Sequence, residues 1–391
     1  MIKDRTLPLN CTFVESDWRI LASHWYPIAE SITVGEEPIK AMLLDEPLVI
    51  YRIGEELVVA RDVCPHRGVP LSMGKSDGQG VVCPYHGLRF GHGGKCNKVP
   101  ASPNGSIPSR MQLYTYPAVE RYGLIWTCLD PQNGQVDIPK MPHWEDVGFQ
   151  QIVCPAFDVK AFAGRQLEGF LDVAHFGFVH TDTFGNPNNV EVPAYRPAET
   201  PQGFEVRYLS TVANYPIGVE ADVPADFTWL RHFEVHLPFT ATLTVHFPND
   251  GRLVIMNAAS PVSAKYTRMF APIARNFDKH ISVEDVHSFN FQVFEEDRLI
   301  VEAQKPERLP LDPSLEVHIP ADMSSIAYRK GLRSQGLSQF FFFFVRNWFN
   351  NKTALGSMRG FLLHIFSREP LTSLVKGLSI HTQANTLGHP A

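Results

Sequence analysis

"CPHRGVPLSMGKSDGQGVVCPYHG" occupies residues 64–87 of the 391-residue chain and holds two of its six cysteines. Cys64 is followed by Pro65 and His66; Cys83 is followed by Pro84 and, after Tyr85, by His86. The donor pattern is therefore C-x-H, a gap of sixteen residues, and C-x-x-H. Two thiolates and two neutral imidazoles suit a structural zinc ion. They also suit an iron–sulfur cluster in which histidines stand in for two of the cysteines. The first alternative makes a zinc-stabilised binding module, the second a redox protein.

The distribution of donors separates these readings. Zinc fingers usually take like ligands from one place, Cys with Cys and His with His. Here each segment supplies one of each, and the two segments are near-twins. Pro65 and Pro84 stiffen them, while Gly68 and Gly87 permit a tight turn. We expect a Rieske [2Fe–2S] centre, with Cys64 and Cys83 on one iron and His66 and His86 on the other; neutral imidazoles make such a cluster easier to reduce. Cys11, Cys96, Cys128 and Cys154 have no partner at ligand spacing and are expected to be packing thiols. So sparse a set of cysteines is no disulfide framework and points to a reducing, cytoplasmic setting.

Around this stretch the composition is that of a globular protein, with 44% hydrophobic and 19% charged residues. A formal charge of −6 argues against nucleic acid as the main partner, since phosphate binding needs a basic surface. Neither a signal-peptide core in the first twenty residues nor an apolar run long enough to span a membrane is evident. From about 20 to 135, β-branched and aromatic runs ("PLVIYRI", "ELVVARDV", "YGLIWTCL") alternate with Gly, Pro and Asp, which predicts an all-β domain over 1–135. "PQNGQVDIPKMPHW" (131–144) has linker composition. Over 136–335, helical spacing at 160–178 and 283–304 joins strand-like alternation in "FEVRYLSTV", "RHFEVHLPF", "ATLTVHF" and "RLVIMNAA". The expected fold class is α+β, an antiparallel sheet covered by helices in a helix-grip-like arrangement. Residues 336–391 form a C-terminal extension with five basic residues, one acidic residue and the run "FFFFFVRNWF" at 340–349. This segment either folds back as a helix or rests, basic and aromatic, on an anionic membrane surface as a peripheral contact.

The C-x-H…C-x-x-H pair resembles the N-terminal domain of the catalytic (alpha) subunit of Rieske non-haem iron oxygenases. A Rieske centre alone only passes electrons, so the resemblance implies a second metal site. "LEGFLDVAHFGFVH" (167–180) is the place to look. Leu167, Leu171, Ala174 and Phe178 fall on one helical stripe, and Asp172 and His175, three apart, lie beside it. His180 sits near or past the helix end, where a turn can swing it back. Two histidines need a carboxylate to complete the facial set of non-haem Fe(II) oxygenases. "VHSFNFQVFEEDRLIVEAQKP" (286–306) offers Asp297, within a stripe marked by Val286, Phe289, Val293 and Ile300. A carboxylate on such a stripe is unfavourable unless paired or metal-bound. The competing readings are core histidines satisfied by hydrogen bonds and a buried salt bridge at Asp297.

The family pattern D-x-x-H-x₄-H matches Asp172, His175 and His180, and its E-D pair matches Glu296 and Asp297. The resemblance implies that His175, His180 and Asp297 bind Fe(II). It also implies that Asp172 links His175 to His86 of an adjacent protomer in a homotrimer. Many relatives carry Asn at the position of Gly169, a departure that leaves the ligand set intact. "ERYGLIWTCLD", "HFGFVH", "FGNPNN" and "IAYRKGLR" are similar to the shorter N- and O-demethylases, including the methylxanthine demethylases. The implied activity is O₂-dependent hydroxylation or oxidative N-/O-demethylation of an aromatic or heterocyclic small molecule. NADH electrons would arrive through a separate reductase or ferredoxin, since the chain has no G-x-G-x-x-G unit. Asn290, two turns before Asp297, is a candidate substrate contact or a core Asn bonded to backbone; Phe176 and Phe178 are expected to pack. A ring cis-dihydroxylating dioxygenase and a Rieske electron-transfer protein without oxygenase activity are the alternatives.

Overall fold

Along Trp229–His236 the odd positions, Trp229, Arg231, Phe233 and Val235, are buried and the even ones half-exposed. Such period-2 burial is what a strand with one face on a core requires. The same logic builds a nine-stranded antiparallel sheet. Its main path runs Gln150–Val153, Pro272–Arg275, Arg252–Ser263, Thr240–His246, Trp229–His236, Gly203–Ser210 and Ala198–Thr200, and Tyr266–Phe270 pairs with both Phe157–Val159 and Arg252–Ser263. The structure is a computed structural model and describes residues 7–131, 137–210, 223–224 and 227–338.

The N-terminal part is all-β. One four-stranded sheet comprises Ile39–Leu43, Glu46–Ile53, Glu56–Arg61 and Thr115–Tyr116. A second comprises Lys75–Ser76, Val81–Val82, Arg89–Phe90 and Cys96–Lys98. Between them lies a core of Val49, Tyr51, Val81, Phe90 and the two motif cysteines. A three-stranded sheet of Tyr26–Glu30, Leu124–Thr127 and Ala118–Arg121 follows. The stretch with linker composition is packed where described. Ile138 and Met141 are buried with Tyr122, Trp126, Val254 and Met256, and the Met141 N–H donates to the Tyr122 hydroxyl at 3.0 Å.

Five α-helices are described: α1 (Glu15–Ala22), α2 (Ala163–Leu171), α3 (Phe176–Val179), α4 (Val283–Ala303) and α5 (Met323–Ser334). The helix expected over 160–178 is broken. It stops at Leu171, Asp172 turns extended (ψ 133°), and the Asp172 Oδ1 accepts from the Ala174 N–H at 2.7 Å. Asp readily bonds nearby backbone in this way and so competes with helix continuation. The stripe breaks with it: Leu167 and Leu171 are buried, but Phe178 is 70% exposed. α4 matches its expected span, and Ser282 caps it by accepting from the Asp285 N–H. Its buried edge ends on Val301, and Ile300 faces outward.

Buried charge fastens α2 to α5. Arg329 grips Glu168 at 2.6 and 2.8 Å and reaches Glu316 at 2.6 Å, and Arg165 meets the other oxygen of Glu316 at 2.6 Å. None of the six cysteines is in a disulfide; Cys128 and Cys154 are buried, Cys11 and Cys96 half-buried. No helix of the described residues is long and apolar enough to cross a membrane. The aromatic tail, and with it both readings of 336–391 beyond Ser338, lies outside the described residues.

Candidate metal centres and the cavity beside them

The two motif segments fold as the same loop. In one, the Cys64 N–H donates to the Val69 carbonyl and the Gly68 N–H to the Cys64 carbonyl, both at 2.9 Å. In the other, the Cys83 N–H donates to Leu88 at 2.8 Å and the Gly87 N–H to Cys83 at 3.0 Å. Gly68 (φ +74°) and Gly87 (φ +68°) take the left-handed conformation that closes each turn. Both thiols are 2% exposed, whereas His66 is half-buried and His86 exposed. The imidazole rings meet edge to face with centroids 4.7 Å apart, and Tyr85 packs against His86 at 3.8 Å.

These donors fit a cluster better than a single ion. Around one zinc the four donor atoms would lie about 3.5 Å apart. Among the described residues, His175, His180 and Asp297 are the one group of three or more donors lying mutually within 4.8 Å, and the four loop residues do not form another. The His66 Nδ1 is buried without a hydrogen-bond partner among the described residues. Burial also pushes the Cys64 thiol up to about 11, so the thiolate there calls for a cationic partner. An orphaned imidazole nitrogen beside two buried thiols is the donor set that two irons would complete.

The second group is assembled from distant chain. The break after α2 turns His175 and His180, on either side of α3, toward the same point, and α4 brings Asp297. The Nε2 atoms of His175 and His180 are 3.0 Å apart; Asp297 Oδ1 lies 3.1 Å from His180 and 3.4 Å from His175. Adjacent positions of a six-coordinate ion with ligands at about 2.1 Å are about 3.0 Å apart, so the three atoms can occupy one face of such an ion. Burial would raise the Asp297 pKa, but the two imidazoles hold it below the usual range. Burial would lower that of His175, but Asp172 and Asp297 push it up to about 9.

Asp172 Oδ1 lies 3.8 Å from the His175 Nδ1, an ion-pair distance too long for a hydrogen bond. Sequence reasoning missed the supports of His180. Glu296 Oε2 accepts from the His180 Nδ1 at 2.7 Å and from the Thr183 hydroxyl at 2.7 Å. That pairing places the proton on Nδ1 and leaves the Nε2 lone pair aimed at the cluster of donors. The available signal was a second acid beside Asp297 on the half-buried edge of α4.

A cavity of about 330 Å³ opens directly onto the three donors. α2, α4 and the sheet strands bound it, and Phe170, Phe176, Phe184, Phe247, Phe289 and Phe294 form much of its wall. Gly169 and Asn290 line it too, and the Asn290 Nδ2 donates to the Val286 carbonyl at 2.8 Å. Phe176 is therefore a wall residue, whereas the exposed Phe178 neither packs nor lines the cavity.

Residues 24–117 match the family model of the Rieske [2Fe-2S] domain, and residues 159–337 that of the vanillate O-demethylase oxygenase C-terminal domain. The chain is 32% identical over 330 residues to methylxanthine N1-demethylase NdmA of Pseudomonas putida, a match covering 82% of this chain and 90% of that one. It is 29% identical over 335 residues to methylxanthine N3-demethylase NdmB of the same organism, covering 82% and 91%. The solved structure of NdmA from Pseudomonas putida CBB5 matches with a TM-score of 0.71 at 30% identity, over 82% of this chain and 92% of that one. With an all-β Rieske part, a helix-covered antiparallel sheet and relatives matched nearly end to end, the chain belongs to the Rieske non-haem iron oxygenases as an oxygenase component, an oxidoreductase using a [2Fe–2S] cluster, mononuclear iron and electrons from a partner reductase or ferredoxin.

Proposed function

We propose that Cys64, His66, Cys83 and His86 hold the cluster, that His175, His180 and Asp297 hold the mononuclear iron, and that the chain demethylates flat N- or O-methylated heterocyclic or aromatic compounds. The observation that carries this reading is the convergence of two Nε2 atoms and one carboxylate oxygen, 3.0 to 3.4 Å apart, on the wall of an aromatic cavity. The names of its relatives, demethylases of methylxanthines and of vanillate, support the reaction type.

When bound, the cluster supplies single electrons and the iron supplies oxygen activation beside a C–H bond. The chain does the rest. Its phenylalanine walls take a flat ring by stacking and exclude water from the reacting carbon. Glu296 and Thr183 hold the His180 imidazole in one tautomer and one orientation. An N- or O-methyl group hydroxylated at its carbon collapses: the carbon leaves as formaldehyde and the nitrogen or oxygen keeps the hydroxyl proton. We further propose that the exposed His86 of one protomer meets Asp172 of the next in a homotrimer; Asp172 is 40% exposed, which leaves it accessible to such a contact. Light scattering on the purified protein should give three times the chain mass, and a monomer would overturn that part.

The test is turnover of the holoenzyme with a partner reductase, NADH and O₂ on matched N-methyl, O-methyl and unmethylated aromatics. Formaldehyde equimolar with demethylated product is expected. A cis-diol without formaldehyde would replace the proposal by ring dihydroxylation, and NADH oxidation with no oxygenated product from any compound would leave an electron-transfer protein.

A further inference from the structure

Within the otherwise aromatic cavity, one wall is polar. Gln166 on α2 and Asn257 on the strand Arg252–Ser263 both line the cavity and are 9% and 4% exposed. Both point their amide nitrogens at one atom, the thioether sulfur of Met269, at 2.9 and 3.2 Å. Gln166 Oε1 and Asn257 Oδ1 are buried with no hydrogen-bond partner among the described residues. A thioether is only a weak acceptor. Turning either amide over would only exchange its unmatched oxygen for unmatched N–H groups, so neither can be satisfied from inside the protein. Both oxygens expose essentially no surface, so a ligand with its own donors and acceptors would complete these two neighbouring amides by drawing them off Met269 toward the cavity.

The charges around the cavity narrow the ligand further. Two guanidinium groups border it, and both are engaged. Arg275 donates to Gln150 Oε1 at 3.0 Å and to the Ile281 carbonyl at 3.2 Å, and Arg298 pairs with Glu295 and Glu302 at 2.5 and 3.2 Å. The remaining charged side chains on the border, apart from the proposed metal ligands His175, His180 and Asp297, are the acids Asp278 and Asp285. Away from the proposed metal site, a carboxylate ligand would meet no uncommitted guanidinium and two like charges.

We infer that Gln166 and Asn257 are the specificity-determining pair of the cavity, reading the carbonyl and ring N–H edge of a neutral lactam, imide or cyclic urea. The inference rests on the oxygenase reading only for the location of the reacting carbon. Phe170 on α2, Phe289 and Phe294 on α4 and Asp297 line the same cavity as the amide pair. Amide-to-amide pairing also explains why two neutral side chains, and not an arginine, occupy this wall.

The experiment measures binding, not turnover, by calorimetry on the metal-loaded enzyme without oxygen or reductant. The probes are 2-quinolone, which has the lactam edge, naphthalene, which lacks it, and 2-naphthoate, which replaces it by an anion. Wild type is expected to bind 2-quinolone at least about tenfold tighter than either of the others. Asn257→Leu and Gln166→Met should each bring the 2-quinolone to naphthalene ratio to within about threefold of unity. Because each replaces an unmatched buried amide by an apolar group of similar shape, each should leave the unfolding midpoint unchanged or raise it by a few degrees. A preserved ratio in both soluble variants, equal binding of all three probes by wild type, or no binding of 2-quinolone would overturn the inference. Selective 2-quinolone binding by an enzyme that yields no formaldehyde would keep the amide pair and reject the demethylase reading. Formaldehyde formation without edge selectivity would do the reverse.

Discussion

The two proposed metal sites are built on opposite principles. The cluster loops lie within residues 64–87, and each is closed by its own backbone through the same two hydrogen bonds. The second group brings residues 175 and 180 to residue 297, so more than a hundred residues separate its histidines from its carboxylate. A local motif carries its geometry in its own turns. A non-local one borrows its geometry from whatever holds the helices in place, here the α2–α5 ion pairs and the sheet beneath.

The sharpest way to break this comparison is to remove one donor from each region. Asp297→Ala should lower turnover at least about 1,000-fold and release the mononuclear iron, while the visible spectrum of the cluster is retained. Cys83→Ser should abolish turnover and that spectrum together and lower the unfolding midpoint, because Cys83 is also part of the N-terminal core. If Asp297→Ala bleached the cluster, the regions would not be independent.

The supports should behave as differently as the donors. Arg329→Met leaves Glu168 buried with Arg165 as its nearest cation, 3.5 Å away. Breaking such a pair from one side destabilises by about 3–5 kcal/mol. We expect an unfolding midpoint lower by several degrees and weaker retention of the mononuclear iron, with the cluster spectrum unchanged. A smaller step is Glu296→Gln, which keeps an acceptor for His180 but removes the charge. It should weaken iron binding about 10- to 100-fold, read as iron lost to a chelator during dialysis, without moving the thermal midpoint.

The same contrast explains what the sequence makes legible. The C-x-H and C-x-x-H segments announce both the β-rich N-terminal part and its redox chemistry, because loop and chemistry are one feature. The strands from 203 to 263 and the helix α4 follow from periodicity alone. The course of 172–180 does not. Residue spacing suggests a helix carrying Asp172, His175 and Phe178, yet a side-chain-to-backbone bond at Asp172 ends it, a competition that apolar spacing does not register. The break turns His175 and His180 toward each other and leaves Phe178 outside. The E-D pair marked Glu296 but not its bond to His180, and the Gln166–Asn257 pair was hidden altogether, since these roles depend on what packs against them from other elements.

Gly169 gives the finest test of how tightly the non-local region is held. It sits in α2 on the cavity wall, and a β-carbon there would lie 3.3 Å from Val301 Cγ2 on α4. Two effects oppose each other. Alanine in place of a helical glycine stabilises by about 1 kcal/mol, whereas the contact asks Val301 to move by a few tenths of an ångström. Val301 lines the same cavity as Gly169, so the added methyl and the displaced Val301 together narrow that part of the wall. Gly169→Ala is therefore expected to leave the unfolding midpoint within about 2 °C of wild type while reducing kcat/KM two- to fivefold for bicyclic compounds and less for single rings. An equal loss for both ring sizes would mean that the iron site moved; no loss for either would mean that α4 yields freely, and that the non-local region is held less tightly than its ion pairs imply.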